Sequence, residues 1–261
     1  MDDPSEAQAS SRRSGGSAER TLDIIRLLTR NGRAMTLAQM AEALSLPKPT
    51  VHRLCARLVE LKYLMRALDE RHYTVGPALH NLAFDTLSHG INSRLRHNVL
   101  SDLVSDIGET CNFTTIDGAS ILYLDRVEAE RPWRLTLNVG VHVPLHCTAS
   151  GKLFLSELEH AERRKLLDNL DLRKLTENTL TNADELEAQA VETADRGYGT
   201  DIEEFIIGLI AIAVPVRDSD GALRAAIAMH CPTTDVDLEQ AMSRLPALRA
   251  AAMRMSELLE L

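Results

Sequence analysis

Residues 36–64 read TLAQMAEAL, then SLPK, then PTVHRLCARLVELKYL, and no other part of the chain leaves so few ways to fold. Apolar residues recur every three or four positions on both sides of a break too short to be a loop. That pattern describes two amphipathic helices joined by a tight turn. Thr36 is placed to cap the first helix, and Pro49 suits the first turn of the second, where its missing N–H is not needed. Val51, Leu54, Leu58 and Leu61 then face inward. Upstream, AERTLDIIRLLTR (18–30) supplies another helix with Leu22, Ile25 and Leu28, together with Ile24, on its apolar side, and Asn31-Gly32 stops it. Downstream, YLMRALDERHYTV holds two β-capable runs around Leu68-Asp69-Glu70, a hairpin. Three helices and a hairpin make a winged helix-turn-helix, whose last helix enters the major groove of DNA with its N-terminal end.

The inward set on that helix leaves Lys48, Thr50, His52, Arg53 and Arg57 outside. Arginine takes guanine or phosphate in a bidentate grip, threonine and histidine bond bases or phosphates, and lysine neutralises phosphate. Arg66 and Arg71 on the hairpin are placed for the flanking backbone, and Thr36 at the start of the turn's first helix completes the DNA-facing set. Solvated helix faces carry the same residue types, so the charge balance matters. The chain as a whole has a net charge of −9, but residues 18–76 hold ten Lys/Arg against six Asp/Glu. Residues 91–261 hold 17 against 28. A small basic unit is joined to a larger acidic one.

The remaining sequence divides accordingly. Residues 1–17 are polar and Gly/Ser-rich, a disordered tail; 18–77 form the winged helix, 78–90 a linker helix, and 91–261 a second domain. Within the last, Leu95–Ile107 reads as helix, FTTIDGASILYLDRVEA as two strands about Asp117-Gly118, and RLTLNVG (134–140) as another strand. A helix starts near Thr148, Asp184–Asp195 is helical, IIGLIAIAVPVRD and ALRAAIAMHC are strands about a DSDG turn, and 238–261 is helical. Strand pairs with short turns and flanking helices indicate an α+β domain with a mainly antiparallel sheet. The N-terminus has no apolar core of a signal peptide, and runs such as Phe205–Val216 are far shorter than the roughly 20 residues of a membrane span. The four cysteines form no CxxC pair or regular framework, as expected of reduced thiols in the cytoplasm.

VPLHCTASGKLFL (143–155) carries the residue types of an active site, yet each catalytic template fails at a named position. A phosphate-binding loop needs Gly at 146 and Ser or Thr at 153, where His146 and Leu153 stand. A nucleophile elbow needs Gly at 148 and 152, where Thr148 and Lys152 stand; S-x-x-K needs Ser at 149, which is Ala149. His146 and Cys147 are neighbours that point apart in extended chain. His142, His146, Cys147, His230 and Cys231 offer zinc-type ligands, but at no common spacing, and buried thiols and bonded histidines account for them without metal. What remains is the entry of Thr148-Ala149-Ser150-Gly151 into a helix, where free N–H groups and the helix dipole suit an anion. Lys152 is either a solvated helix residue or the partner of an internal ion pair. Asp201, Glu203 and Glu204 offer paired carboxylates for acid–base work, but acidic side chains before a strand more often form a solvated edge, and that is their reading here.

From about residue 18 to the end, AERTLDIIRLL, TLAQMAEALSLPKPTVHRLCARLVELKYL, YTVGPAL, PLHCTASGKLFL and RGYGTDIEEFIIGLIAIAVPVRDSDGALRAAIAM occur in the order and spacing of one family. The chain resembles the isocitrate-lyase-regulator (IclR) family of bacterial transcription factors. The resemblance implies a GAF-like effector-binding domain, in which the backbone at Ala149 and Ser150 holds a small carboxylate. It also implies a polar contact from Asp201 and a lining from Ala211, Ala228 and His230. A frequent family Cys is Ala211 here, and a common Ser pair is Ala228 and His230. These departures point away from a glyoxylate-like ligand toward a larger carboxylate, aromatic or branched, with His230 either protonated and available to a second acidic group or a satisfied structural histidine.

The expected protein is therefore a cytoplasmic DNA-binding regulator, not an enzyme, whose operator binding answers to a small organic acid in the second domain and which serves a catabolic operon. No cofactor, metal or membrane is called for. Its partners are double-stranded operator DNA, the acid, and its own copies in a homodimer or homotetramer. The competing readings are an enzyme built on 146–152 and a ligand-sensing module without DNA function.

Overall fold

The computed structural model describes residues 16–31, 33–67, 69–88, 91–130 and 137–259. The chain forms two compact units divided between Thr86 and Leu87.

The first unit runs α1 (Ser17–Asn31), β1 (Met35–Thr36), α2 (Leu37–Ala43), α3 (Lys48–Glu60), β2 (Leu64–Arg66), β3 (His72–Val75) and α4 (Pro77–Ser88). Thr36 and Gln39 form a reciprocal capping box: Gln39 N–H donates to Thr36 Oγ1 at 3.3 Å, and Thr36 N–H donates to Gln39 Oε1 at 2.8 Å. The turn between α2 and α3 closes with Leu46 N–H on the Ala41 carbonyl at 2.9 Å, and Ser45 takes a φ of 52°. Ile24, Leu28, Met40, Val51, Leu54, Cys55, Leu58, Leu64 and Tyr73 fill the core under a sheet of order β1-β3-β2. Two expected core residues lie outside it. Leu22 is exposed, because Ile24 and Leu28 set the buried line of α1, and Leu61 is exposed because α3 has already ended at Glu60. The expected tail overlaps α1 at Ser17; residues 1–15 and Leu68, at the hairpin tip, lie outside the described residues, as do 89–90 of the expected linker helix.

The second unit runs α5 (Ile91–Ile107), β4 (Thr110–Asp117), β5 (Ser120–Val127), β6 (His142–Pro144), α6 (Ala149–Ser156), α7 (His160–Leu167), α8 (Ala183–Arg196), β7 (Gly199–Ile202), β8 (Leu209–Arg217), β9 (Leu223–Pro232), α9 (Leu238–Met242) and α10 (Leu245–Leu259). Its sheet is antiparallel throughout, in the order β6-β5-β4-β9-β8-β7. Helices α5 and α10 pack together against one face. The other face carries Ile121, Tyr123, Ala211, Ala213, Ala226 and Ala228 against α6, with α8 beyond it.

Three expectations change. Of RLTLNVG, 134–136 lie outside the described residues and 137–140 form irregular chain and a turn, not a strand. The C-terminal helix is two helices, because Pro246 has no N–H to continue a helix and fits only the first turn of a new one. Helix α7 was not anticipated; its polar sequence, HAERRKLL, has little apolar periodicity.

Candidate functional site

On α3, Lys48, His52, Arg53 and Arg57 are exposed and Thr50 is half-buried, while Val51, Leu54, Cys55 and Leu58 are buried beneath them. Arg57 is shared with Glu60 at 2.6 Å, an exposed pair of little worth in water. On the hairpin, Arg66 and Arg71 are exposed, and the Arg66 guanidinium lies 5.7 Å from the centre of the Tyr73 ring. Asp69 shapes the turn by accepting from Arg71 N–H at 3.1 Å and His72 N–H at 3.0 Å. The Thr36 hydroxyl is committed to Gln39, so its visible role is to cap α2.

In the second unit, Thr148 caps α6: its Oγ1 accepts from Gly151 N–H at 3.2 Å and donates to the Pro144 carbonyl at 2.8 Å. Ala149 and Ser150 are the first two residues of α6, so their N–H groups have no partner within the helix. Ser150 Oγ accepts from Thr114 Oγ1 on β4 at 2.9 Å, which ties the helix entry to the sheet. Two glycines allow this close approach. A Cβ on Gly151 would sit 1.9 Å from the Leu145 carbonyl oxygen, and one on Gly199 would sit 2.1 Å from that of Ala149. The glycine of the TASG run is therefore a requirement of packing.

A small cavity lies at this helix entry. Thr148, Ala149, Ser150, Asp201, Ala211, Ala228 and His230, all seven residues expected on the effector side, line it. Strand register explains the gathering. Asp201 pairs with Ala211 and Ala211 with His230, so one cross-strand row spans β7, β8 and β9 on the α6 face. Ile121, Tyr123, Val143 and Phe205 complete the wall. These were missed, although the Ile121/Tyr123 alternation in β5 already placed the two on one face.

Electrostatically, the cavity is buried and poised. Asp201 Oδ1 accepts from Glu204 N–H at 2.8 Å and Phe205 N–H at 3.2 Å, yet burial outweighs these bonds and raises its pKa to about 7. His230 is pushed down to about 3 by burial and then by Arg126, so it is neutral, contrary to the expected protonated form. Its Nδ1 is buried without a hydrogen-bond partner, and its ring meets Tyr123 edge-on with centroids 6.4 Å apart. Beside the cavity Lys152 is buried and paired with Glu204, which selects the ion-pair alternative. Glu204 is buried too, not part of a solvated edge; its carbonyl accepts from Thr179 Oγ1 at 2.6 Å.

The reactive-looking groups are otherwise occupied. Burial pushes the Cys147 thiol up to about 12, far from a nucleophilic thiolate. His146 Nε2 donates to the Arg173 carbonyl at 3.0 Å, and His142 pairs with Asp117 at 2.8 Å. Among the described residues, no group of three or more His, Cys, Asp or Glu side chains is placed to hold a metal ion. No described helix is long and apolar enough to cross a membrane.

Comparison with known proteins places both units. Residues 17–67 match the IclR helix-turn-helix domain, and residues 87–257 match the C-terminal domain of the IclR bacterial transcriptional regulators. The chain belongs to the IclR family. Its relatives include the probable transcriptional regulator SauR of Cupriavidus necator, 40% identical over 93% of this chain and 96% of SauR. The transcriptional repressor IclR of Escherichia coli is 26% identical over 84% of this chain and 81% of its own. Among solved structures, Thermotoga maritima IclR superposes with a TM-score of 0.61 at 25% identity, covering 92% of this chain and 97% of that one. Membership of the IclR family makes the chain a transcriptional regulator, with a helix-turn-helix for DNA and the family's C-terminal domain, and not an enzyme.

Proposed function

We propose that this regulator binds a small carboxylate in the α6 cavity and that the bound acid changes its affinity for operator DNA. The observation that carries the reading is the convergence of the Ala149 and Ser150 N–H groups, Asp201 and His230 on one buried space. A helix N-terminus favours an anion, and the open Nδ1 of His230 supplies a buried polar atom in need of a partner. Asp201, with its pKa near 7, takes up a proton when an acid is buried beside it, so affinity weakens as pH rises through that value. Tyr123, Phe205 and Ile121 share the cavity wall with the alanines at 211 and 228, and such bulky neighbours favour a short acid over the aromatic or branched one expected from the substitutions alone.

Lys48, Thr50, His52, Arg53 and Arg57 of α3, with Arg66 and Arg71 of the hairpin, make the DNA contacts in this reading. A single winged helix offers little area, and helix-turn-helix proteins read paired half-sites across a two-fold axis. The working form is thus a homodimer, or a homotetramer made of two such dimers, in the cytoplasm, at the promoter of a catabolic operon whose substrate or product is the acid. Thermal-shift measurements against a panel of carboxylates test the cavity, since a ligand of the folded state stabilises by mass action. The true effector raises the melting temperature of the parent and not of an Asp201→Ala, His230→Ala double variant. A shift that persists in the double variant puts the acid elsewhere.

A further inference from the structure

The turn that holds Asp201 is itself held by a distant segment of chain. Strand β7 ends its sheet, so the residues after it have no further strand on that side to bond. Asp201 Oδ1 takes its two N–H groups from Glu204 and Phe205, and between them and Asp201 the chain passes through Glu203 at a φ of 57°. That is left-handed backbone, which a residue with a side chain keeps only where its surroundings hold it.

The hold comes from residues 173–179, an irregular stretch between α7 and α8. Thr176 Oγ1 donates to the Glu203 carbonyl at 2.7 Å, and Thr179 Oγ1 donates to the Glu204 carbonyl at 2.6 Å. The two hydroxyls are fixed in turn. Thr179 Oγ1 accepts from Thr176 N–H at 2.8 Å and Leu175 N–H at 3.1 Å, and Thr176 Oγ1 accepts from Asn178 N–H at 3.1 Å. Both threonines are buried, so removing either hydroxyl takes a partner from a carbonyl of the turn. The same stretch also touches the α6 entry, where His146, two residues before the Thr148 cap, donates to the Arg173 carbonyl.

Resting on the reading that the cavity holds a carboxylate, we propose that Thr176 and Thr179 are positioning residues that clip the 203–204 turn, aim its N–H groups at Asp201, and so set the pH range over which the cavity takes an acid. Neither threonine lines the cavity, so both act through the turn and not on the ligand. The titratable groups around Asp201 are Lys152 of α6, Glu204 of the turn, Tyr123 of β5, Cys147 before α6, and His230 in the same cross-strand row. Substitution at 176 or 179 replaces none of them.

Two titrations of the full-length chain test this. Thr179→Val and Thr176→Val each remove one hydroxyl at nearly constant shape, Thr179→Ser keeps it, and circular dichroism checks that each variant folds. Infrared difference spectroscopy without ligand follows the protonated carboxyl band that Asp201→Asn removes. Its midpoint, about 7 in the parent, rises by about one pH unit in the valine variants, because a loosened turn supports the anion less while burial persists. Thr179→Ser keeps the parent's midpoint. Isothermal titration calorimetry with the straight-chain acids from acetate to pentanoate then gives affinity against pH. The fall in affinity on raising the pH moves up by the same interval in the valine variants and not in Thr179→Ser. The parent's midpoint in both folded valine variants overturns the clip. A moved midpoint with an unmoved affinity profile overturns its link to the effector. If no acid binds the parent, the carboxylate reading falls, and the infrared titration still decides the clip.

Discussion

Asp201 shows how burial and hydrogen bonding compete at one carboxyl group. Two backbone N–H groups favour its anion, but desolvation is larger and sets its pKa near 7 against an ordinary 3.8. Between those values the folded chain holds a proton that the unfolded chain has released, so stability falls as pH rises through the window. Asp201→Asn keeps an oxygen for both N–H groups and removes the charge. Its stability advantage over the parent should grow by about 1–3 kcal/mol between pH 5 and pH 8 in urea denaturation; an advantage equal at both pH values would contradict the buried, proton-holding Asp201. The Lys152–Glu204 pair makes a second test. Lys152→Ala strands a buried carboxylate and should cost about 3–5 kcal/mol, whereas Lys152→Met with Glu204→Leu should recover most of that loss. If the double variant is as unstable as the single one, the cost is packing and not charge. Sequence alone left Lys152 open between solvent and an ion pair, because its partner lies 52 residues away, beyond α7, α8 and β7.

At the scale of elements, the turn chemistry was legible and the register was not. The capping box of α2, the Pro49 start of α3 and the Thr148 cap of α6 are local, and local signals survive in a sequence. The cross-strand row Asp201, Ala211 and His230 depends on pairing between distant segments. That is why Tyr123 and Phe205 were missed while Ala211, Ala228 and His230 came only through family resemblance. Gly151→Ala probes the helix entry directly. With the Leu145 carbonyl oxygen 1.9 Å from the new Cβ, α6 must move off the strand segment before it. A loss of at least about 2 kcal/mol is expected, on the scale of overpacked cores. An unchanged melting curve would contradict the packing described. Thr36→Ala should cost about 1 kcal/mol by loss of its cap. Arg53→Ala should leave stability unchanged and reduce the salt dependence of DNA binding by about one unit in the log–log slope. Binding by Arg53→Ala with the parent's slope would remove Arg53 from the phosphate contacts.

For the whole molecule, the segregation of charge carries the division of labour: a basic winged helix for DNA, and an acidic second unit that keeps those contacts at the basic end. Nothing passes between the two functions unless the acid binds unequally to the states that hold and release DNA. The central claim is therefore tested by one titration. Operator affinity is measured by fluorescence anisotropy on the chain's own upstream DNA, with and without the carboxylate that gives the largest thermal shift. The same measurement is made on the Asp201→Ala, His230→Ala double variant. The acid should move the parent's Kd by fivefold or more, within the usual range of roughly 1–3 kcal/mol for coupled sites, and leave the double variant's Kd unmoved. An acid that stabilises the parent yet leaves its operator affinity unchanged would contradict the account, as would an equal shift in both proteins.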